Sequence, residues 1–243
     1  MRLYGLLGKT LKHSFSKAYF AEKFAALNIT DCHYENFELA SINELPQLLA
    51  NNPSIRGLNV TIPYKEEVIS FLHEKNEVVK EINACNCVNI VDGKLIGYNT
   101  DVIGFQQSLQ PYLKPHHTKA LILGTGGAAK AVQYTLKKLG IGYQVVSRSK
   151  KDFTITYNQL DESILESHTL IINTSPLGMY PKMDEAPPIP YQYITPQHLL
   201  FDLVYNPEKT LFLKKGEKQG AQVANGKEML LLQAEESWRI WNS

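Results

Sequence analysis

The feature that most constrains this chain is Gly124-Thr125-Gly126-Gly127-Ala128-Ala129. It follows the apolar run Lys119–Leu123 and opens an amphipathic stretch over Gly127–Leu139. Strand, glycine turn and helix in this order spell G-x-G-x-x-A, the start of a dinucleotide-binding βαβ unit. Gly124 permits the tight turn, Gly126 lets backbone approach a pyrophosphate, and Ala129 allows close packing of helix on strand. Gly127 and Ala128 begin the helix whose N-terminus attracts phosphate. The competing reading is a glycine turn that serves packing alone.

A binder of NAD places an acid about 20 residues on, for the ribose 2′-hydroxyl. Here the next strand, Tyr143–Ser147, runs into Arg148-Ser149-Lys150-Lys151, and the first acid is Asp152. Arg148 where an acid is expected favours the additional phosphate of NADP. An ordinary exposed basic loop is the other reading.

The rest of the chain fits a two-domain α/β protein. At about 150 residues per domain, its 243 residues allow one large domain or two small ones. Hydrophobic residues at 44% against 20% charged exclude a disordered chain, and a net charge of +1 gives no nucleic-acid or anionic-membrane footprint. Apolar runs such as Leu170–Ile172 and Leu230–Leu232 fall far short of the roughly 18 residues of a spanning helix. The first residues break into Gly and Lys too early for a signal peptide. Cys32, Cys85 and Cys87 read as buried inert thiols of a reducing compartment, so a cytoplasmic location is expected. Neither they nor the seven scattered histidines show metal-ligand spacing, and no metal is expected.

Strands are expected at Arg2–Leu7, Tyr34–Leu39 and Gly57–Ile62, and helices at Lys17–Leu27, capped by Ser16, and Ser41–Ala50. Pro63 should open a further helix over Tyr64–Leu72. Asp92-Gly93 predicts a hairpin between Cys87–Val91 and Lys94–Tyr98. Gly104–Leu113 reads as a linker helix. Beyond it, Leu170–Asn173, Leu199–Val204 and Ala221–Ala224 read as strands, and Thr210–Gln219 and Glu228–Trp241 as helices. Residues 176–196 hold six prolines and read as a functional or mobile loop.

Four places in the first half carry polar groups against their surroundings. Ser14 and Ser16 offer two hydroxyls before a helix, a cradle for a carboxylate or simply a cap. Asn59 and Thr61 end an apolar strand. Lys65 follows where a helix dipole would disfavour its charge, so it is either functional or a solvated surface lysine. Asn86 lies in the apolar run 84–88, and Asp101 is either an N-cap or a functional acid.

The ordered blocks HSFS, NVTIPYK, GYNTDVIGF, GTGGAAKAV, NTSPLGMYP, DLVYNPEKT and GKEMLLLQA resemble shikimate dehydrogenase across nearly the whole chain. The resemblance implies an α/β substrate-binding domain over 1–103, a Rossmann NADP-binding domain over 104–225, and a C-terminal helix, 226–243, returning to the first domain. It implies NADP-dependent interconversion of 3-dehydroshikimate and shikimate, in aromatic amino-acid biosynthesis. Ser14 and Ser16 would hold the substrate carboxylate, and Thr61, Asn86, Asp101 and Gln233 its hydroxyls. Lys65 and Asp101 would be the catalytic pair. Tyr205 would complete the substrate site and Gly226 the cofactor site, with Met229 near the nicotinamide. Gly124, Gly126, Gly127, Ala128, Ser147 and Arg148 would hold NADP. The partners implied are small molecules only, with no nucleic acid or membrane, on a monomer or homodimer.

Two departures stand out. The family often has Thr where this chain has Cys87, a much weaker hydrogen-bonding group. It often has a second basic residue where this chain has Asp152, a role left to Lys150 or Lys151. A quinate/shikimate dehydrogenase would share nearly every block, and a non-catalytic NADP-binding regulator could share the fold.

Overall fold

The computed structural model describes residues 1–11, 14–150 and 152–243. They form two units, Met1–Thr100 with Ala234–Ser243, and Asp101–Gln233. Lys12, His13 and Lys151 lie outside the described residues.

In the first unit, β1 (Arg2–Gly8), α1 (Phe15–Ala26), β2 (Cys32–Glu38), α2 (Leu45–Asn51) and β3 (Ile55–Val60) alternate. β4 (Glu74–Lys75), α3 (Glu77–Ile82), β5 (Cys87–Val91) and β6 (Lys94–Tyr98) follow. The sheet order is β2-β1-β3-β5-β6-β4. β1 runs parallel to β2 and β3, whereas β5 is antiparallel to β3 and β6. Asp92 (φ 49°) and Gly93 (φ 76°) form the left-handed pair that a tight hairpin requires.

One face of this sheet is covered by α1 and by the chain's last residues. Tyr4 stacks on Trp241 at 4.9 Å, and Phe20 on Tyr34 at 4.5 Å. Trp241 donates its indole N–H to the Val88 carbonyl at 3.0 Å. It fits because Gly57 has no side chain: a Cβ there would lie 2.3 Å from the indole nitrogen.

Local boundaries differ from expectation in three places. After the cis Ile62–Pro63 bond the chain makes turns and then a 3₁₀ segment, Glu67–Phe71, rather than an α-helix. The Lys65 carbonyl accepts from the Cys85 N–H at 2.7 Å, so it is committed outside its own segment. Lys65 therefore sits in a turn, and the dipole argument for it does not apply. The N-cap position of α1 is Ser14, without a side-chain cap bond, and Ser16 lies inside the first turn. The helix expected from Gly104 starts at Asp101.

The second unit holds α4 (Asp101–Leu109), β7 (Lys119–Leu123), α5 (Gly127–Lys138), β8 (Gly142–Ser147), β9 (Thr154–Thr156) and α6 (Glu162–Ser167). β10 (Leu170–Asn173), β11 (Leu199–Asp202), α7 (Leu211–Lys218), β12 (Gln222–Ala224) and the first part of α8 (Lys227–Trp241) complete it. Its six strands take the order β9-β8-β7-β10-β11-β12, all parallel, which is the doubly wound arrangement. The core of such a sheet needs cover on both faces, and residues 120–123, 170–172 and 199–201 are fully buried.

The units divide after Thr100, not 103, because all of α4 packs with the second unit. They divide again inside α8: its first residues, through Gln233, stay with the second unit and those from Ala234 with the first. The proline-rich segment is anchored, with Ile189 and Ile194 in the second unit's core, while Met179, Tyr180 and Met183 are exposed. No described helix is long and apolar enough to cross a membrane.

Candidate functional site

In the second unit β7 and β10 are neighbours, and the strand order departs from them in opposite directions. The carboxyl ends of such a pair form the ligand crevice of doubly wound sheets. Gly124 leaves β7 at φ 130°, and a Cβ there would lie 2.6 Å from Thr174 Oγ1, just past β10. Thr174 locks this crossing by donating both N–H and hydroxyl to the Leu123 carbonyl, each at 3.0 Å. Gly126 is the N-cap of the 12-residue α5, and a Cβ on it would meet nothing within 4 Å. Gly127 and Ala128, the first residues of α5, are half-buried beside that space, while Ala129 is fully buried in the core of the unit. That open N-terminus fits the pyrophosphate of a dinucleotide.

β8 ends at buried Ser147, whose hydroxyl donates to the Ser149 carbonyl. Arg148 follows, exposed and without an ion-pair partner among the described residues. Its charge acts on the Tyr157 phenol, whose pKa burial raises and Arg148 lowers. An exposed guanidinium beside the strand end fits a phosphomonoester. Lys150 is also exposed.

The loops after β10 and β11 share a buried network. Asp202 accepts from Asn173 Nδ2 (2.9 Å), the Val204 N–H (3.0 Å) and Thr210 Oγ1 (2.5 Å). Burial raises its carboxyl pKa to about 6, against the lowering effect of those donors. Half-buried Tyr205 follows, its phenol pKa also raised by burial. Gly226 packs so closely that a Cβ would lie 2.1 Å from the Leu203 carbonyl, so this glycine has a structural requirement of its own. Met229 joins the apolar core of the unit.

Asp101 is buried at the first position of α4. One turn on, a Cβ on Gly104 would lie 2.7 Å from the Met229 carbonyl and 3.0 Å from Gln233 Cβ. Residues three apart share a helix face, so the Asp101 face of α4 packs on the Gln233 turn of α8. Gln233 Nε2 donates to the Leu230 carbonyl at 2.8 Å.

In the first unit Ser14 Oγ is buried and has no hydrogen-bond partner among the described residues. Ser16, also buried, bonds the Tyr34 phenol. Tyr34 donates to Asn59 Oδ1 at 2.9 Å, and burial raises its pKa strongly. Asn59 Nδ2 donates to Ser237 Oγ at 2.8 Å. Thr100 Oγ1 lies 3.3 Å from Ser237 Oγ and accepts from Asn86 Nδ2 at 3.0 Å. The Thr100 N–H donates to Asn86 Oδ1 at 2.6 Å. Both ends of the Asn86 amide are thereby oriented. Thr61, at the end of β3, and Lys65, four residues on, are half-buried.

Cys87 is fully buried, with burial raising its thiol pKa and its sulfur facing Ser237 and Trp241. The cysteine thus belongs to the interior network. Sequence reasoning missed Tyr34, Ser237, Asn173, Asp202 and Thr210. The pairings Thr210–Asp202, Tyr34–Asn59, Asn173–Asp202 and Asn59–Ser237 join residues 8 to 178 apart, and no local pattern marks them.

The model of the shikimate dehydrogenase substrate binding domain matches residues 6–88. Shikimate dehydrogenase (NADP(+)) of Clostridium beijerinckii is 38% identical over 99% of this chain and 92% of its own length. The shikimate 5-dehydrogenase of Thermus thermophilus, solved in complex with NADP(H) and shikimate, is 28% identical. It superposes with a TM-score of 0.88 over 99% of this chain and 93% of that one. Quinate dehydrogenase from Corynebacterium glutamicum, in complex with NAD, is 26% identical at a TM-score of 0.87 over 99% and 93%. With a relative this similar over nearly its full length, the chain belongs to the shikimate dehydrogenase family.

Proposed function

We propose that this chain is an NADP-dependent oxidoreductase interconverting 3-dehydroshikimate and shikimate. The observation that carries the reading is the Ser14 hydroxyl, a buried donor without a partner among the described residues, whose cost is recovered when a carboxylate accepts from it. Ser16 holds the same carboxylate, and Thr61, Asn86, Asp101 and Gln233 hold the ring hydroxyls, with Tyr205 completing the substrate site. The backbone at Gly124, Gly126, Gly127 and Ala128 takes the pyrophosphate and Arg148 the 2′-phosphate, with Ser147 beside it in the cofactor site; Gly226 completes that site and Met229 lies near the nicotinamide.

The nicotinamide, when bound, supplies hydride chemistry. The chain's own task is the proton and the alignment. Lys65 exchanges the proton of the reacting hydroxyl, and Asp101 orients lysine and substrate. The protein works in the cytoplasm as a monomer or homodimer; the +1 net charge and three free thiols support a cytoplasmic partner of small molecules.

The test is NADP reduction by the purified chain with shikimate, followed at the reduced-nicotinamide absorbance band. Turnover with shikimate is expected, and none would refute the reading. Lys65→Met keeps the stem without the charge and should cut turnover by about 10²–10⁴, the usual worth of a general acid/base. Near-wild-type turnover would return Lys65 to the surface-lysine reading. The likeness to quinate dehydrogenase favours a second reading, and a higher kcat/KM for quinate in the same assay would establish it.

A further inference from the structure

The hydrogen bonds of the first unit converge on one hydroxyl that no substrate role explains. Ser237 is fully buried on the part of α8 that belongs to the first unit. From one side comes Ser16–Tyr34–Asn59, ending at Asn59 Nδ2, 2.8 Å from Ser237 Oγ. From the other comes Asn86–Thr100, ending at Thr100 Oγ1, 3.3 Å away. The Cys87 thiol faces the same oxygen. One hydroxyl therefore links the carboxylate-side serine to the hydroxyl-side asparagine, through Tyr34 on β2 and Asn59 on β3 and through Thr100 to Asn86 just before β5.

We propose that Ser237 is a positioning residue for substrate. Its oxygen fixes the rotamer of Asn59, and through Thr100 the plane of the Asn86 amide. An amide can flip end for end at little steric cost, and only its partners choose the orientation. Asn86 must present the correct end to a substrate hydroxyl, so a distant helix sets the donor and acceptor pattern that the substrate meets. Buried networks of this kind specify one arrangement when every member is satisfied and lose it when one member is removed. The cysteine at 87 gives a reason for the burden on Ser237: a thiol orients its neighbours weakly, leaving a hydroxyl as the strong node.

The inference rests on the shikimate reading above, and steady-state kinetics of the full chain separate the two. Ser237→Ala should raise KM for shikimate about 5- to 30-fold, the worth of one or two hydrogen bonds. KM for NADP should stay within twofold, and kcat should fall less than kcat/KM. Thr100→Val, which keeps the shape and removes the hydroxyl, should show the same split and serves if Ser237→Ala does not fold. A purely structural role would lower the melting temperature and leave both Michaelis constants of the folded fraction unchanged. That result, in either variant, overturns the positioning role. A wild-type chain inert towards shikimate overturns the functional reading, and this inference with it.

Discussion

A buried hydroxyl without a partner costs a fold about 1–3 kcal/mol, and Ser14 carries one that has none among the described residues. Removing it should therefore leave stability unchanged or improved. Ser14→Ala is expected to keep or raise the melting temperature while raising KM for shikimate roughly tenfold, the worth of one charge-assisted bond. A lower melting temperature with unchanged KM would make Ser14 a cap after all. Arg148 presents the mirror case, an exposed charge that no carboxylate neutralises among the described residues. Arg148→Ala should weaken NADP binding about 10- to 100-fold and NAD binding little, as loss of a charged hydrogen bond predicts. Titration with each cofactor checks this, and equal loss for both would remove the 2′-phosphate assignment.

At the scale of elements, the turn between β7 and α5 separates conformational from steric need. Gly124 has φ 130° and a neighbour at 2.6 Å, whereas Gly126 has φ −81° and open space around it. Gly124→Ala should cost about 1–3 kcal/mol of stability from backbone strain alone. Gly126→Ala should leave the melting point near wild type and still raise KM for NADP, because the added methyl occupies the anion's approach. Thermal melts beside cofactor kinetics distinguish the two. This turn was legible in the sequence because its pattern is contiguous, as were the buried strands of the second sheet and the Asp92-Gly93 hairpin. β4 and β9, with two and three residues, carry too little periodicity to read. The segment after Pro63 misled because its decisive bond, Cys85 N–H to the Lys65 carbonyl, joins residues 20 apart. The individual polar residues of the first half were visible as exceptions to an apolar pattern. The order in which they bond was not, since Asn59 meets Ser237 only through the sheet and the last helix.

At the scale of the whole chain, titratable burial gives stability an acid limit. His117, His168 and His198 all have pKa values lowered, in each case chiefly by desolvation. His117 and His198 use Nδ1 to accept backbone N–H bonds from Lys114 and Thr195, which protonation would abolish. Above the ordinary histidine value of about 6.5 these groups are neutral in both folded and unfolded chains and cost nothing. As pH falls below it, the unfolded chain takes up protons first and stability drops through the lowered folded values. Asp202 acts in the opposite sense. Its pKa, raised from 3.8 to about 6, means its contribution is full below the unfolded value and is lost as pH rises through about 6. The histidines outnumber it, so urea unfolding from pH 8 to pH 5 should show a net loss on acidification. Asp202→Asn should steepen that loss by removing the opposing term; a shallower profile would contradict the assignment.

The split of α8 has a further consequence, for synthesis. Ala234, Ile240 and Trp241 are part of the aromatic core around Tyr4, Phe20 and Tyr34, so the amino-terminal unit is discontinuous in the gene product. The second unit is one uninterrupted stretch, Asp101–Gln233. On the ribosome, where chains emerge amino end first, the unit translated first is therefore the unit finished last. Its aromatic face stays incomplete while the whole of the second unit is made. That surface can close only after residues 234–243 have been made and pack on it.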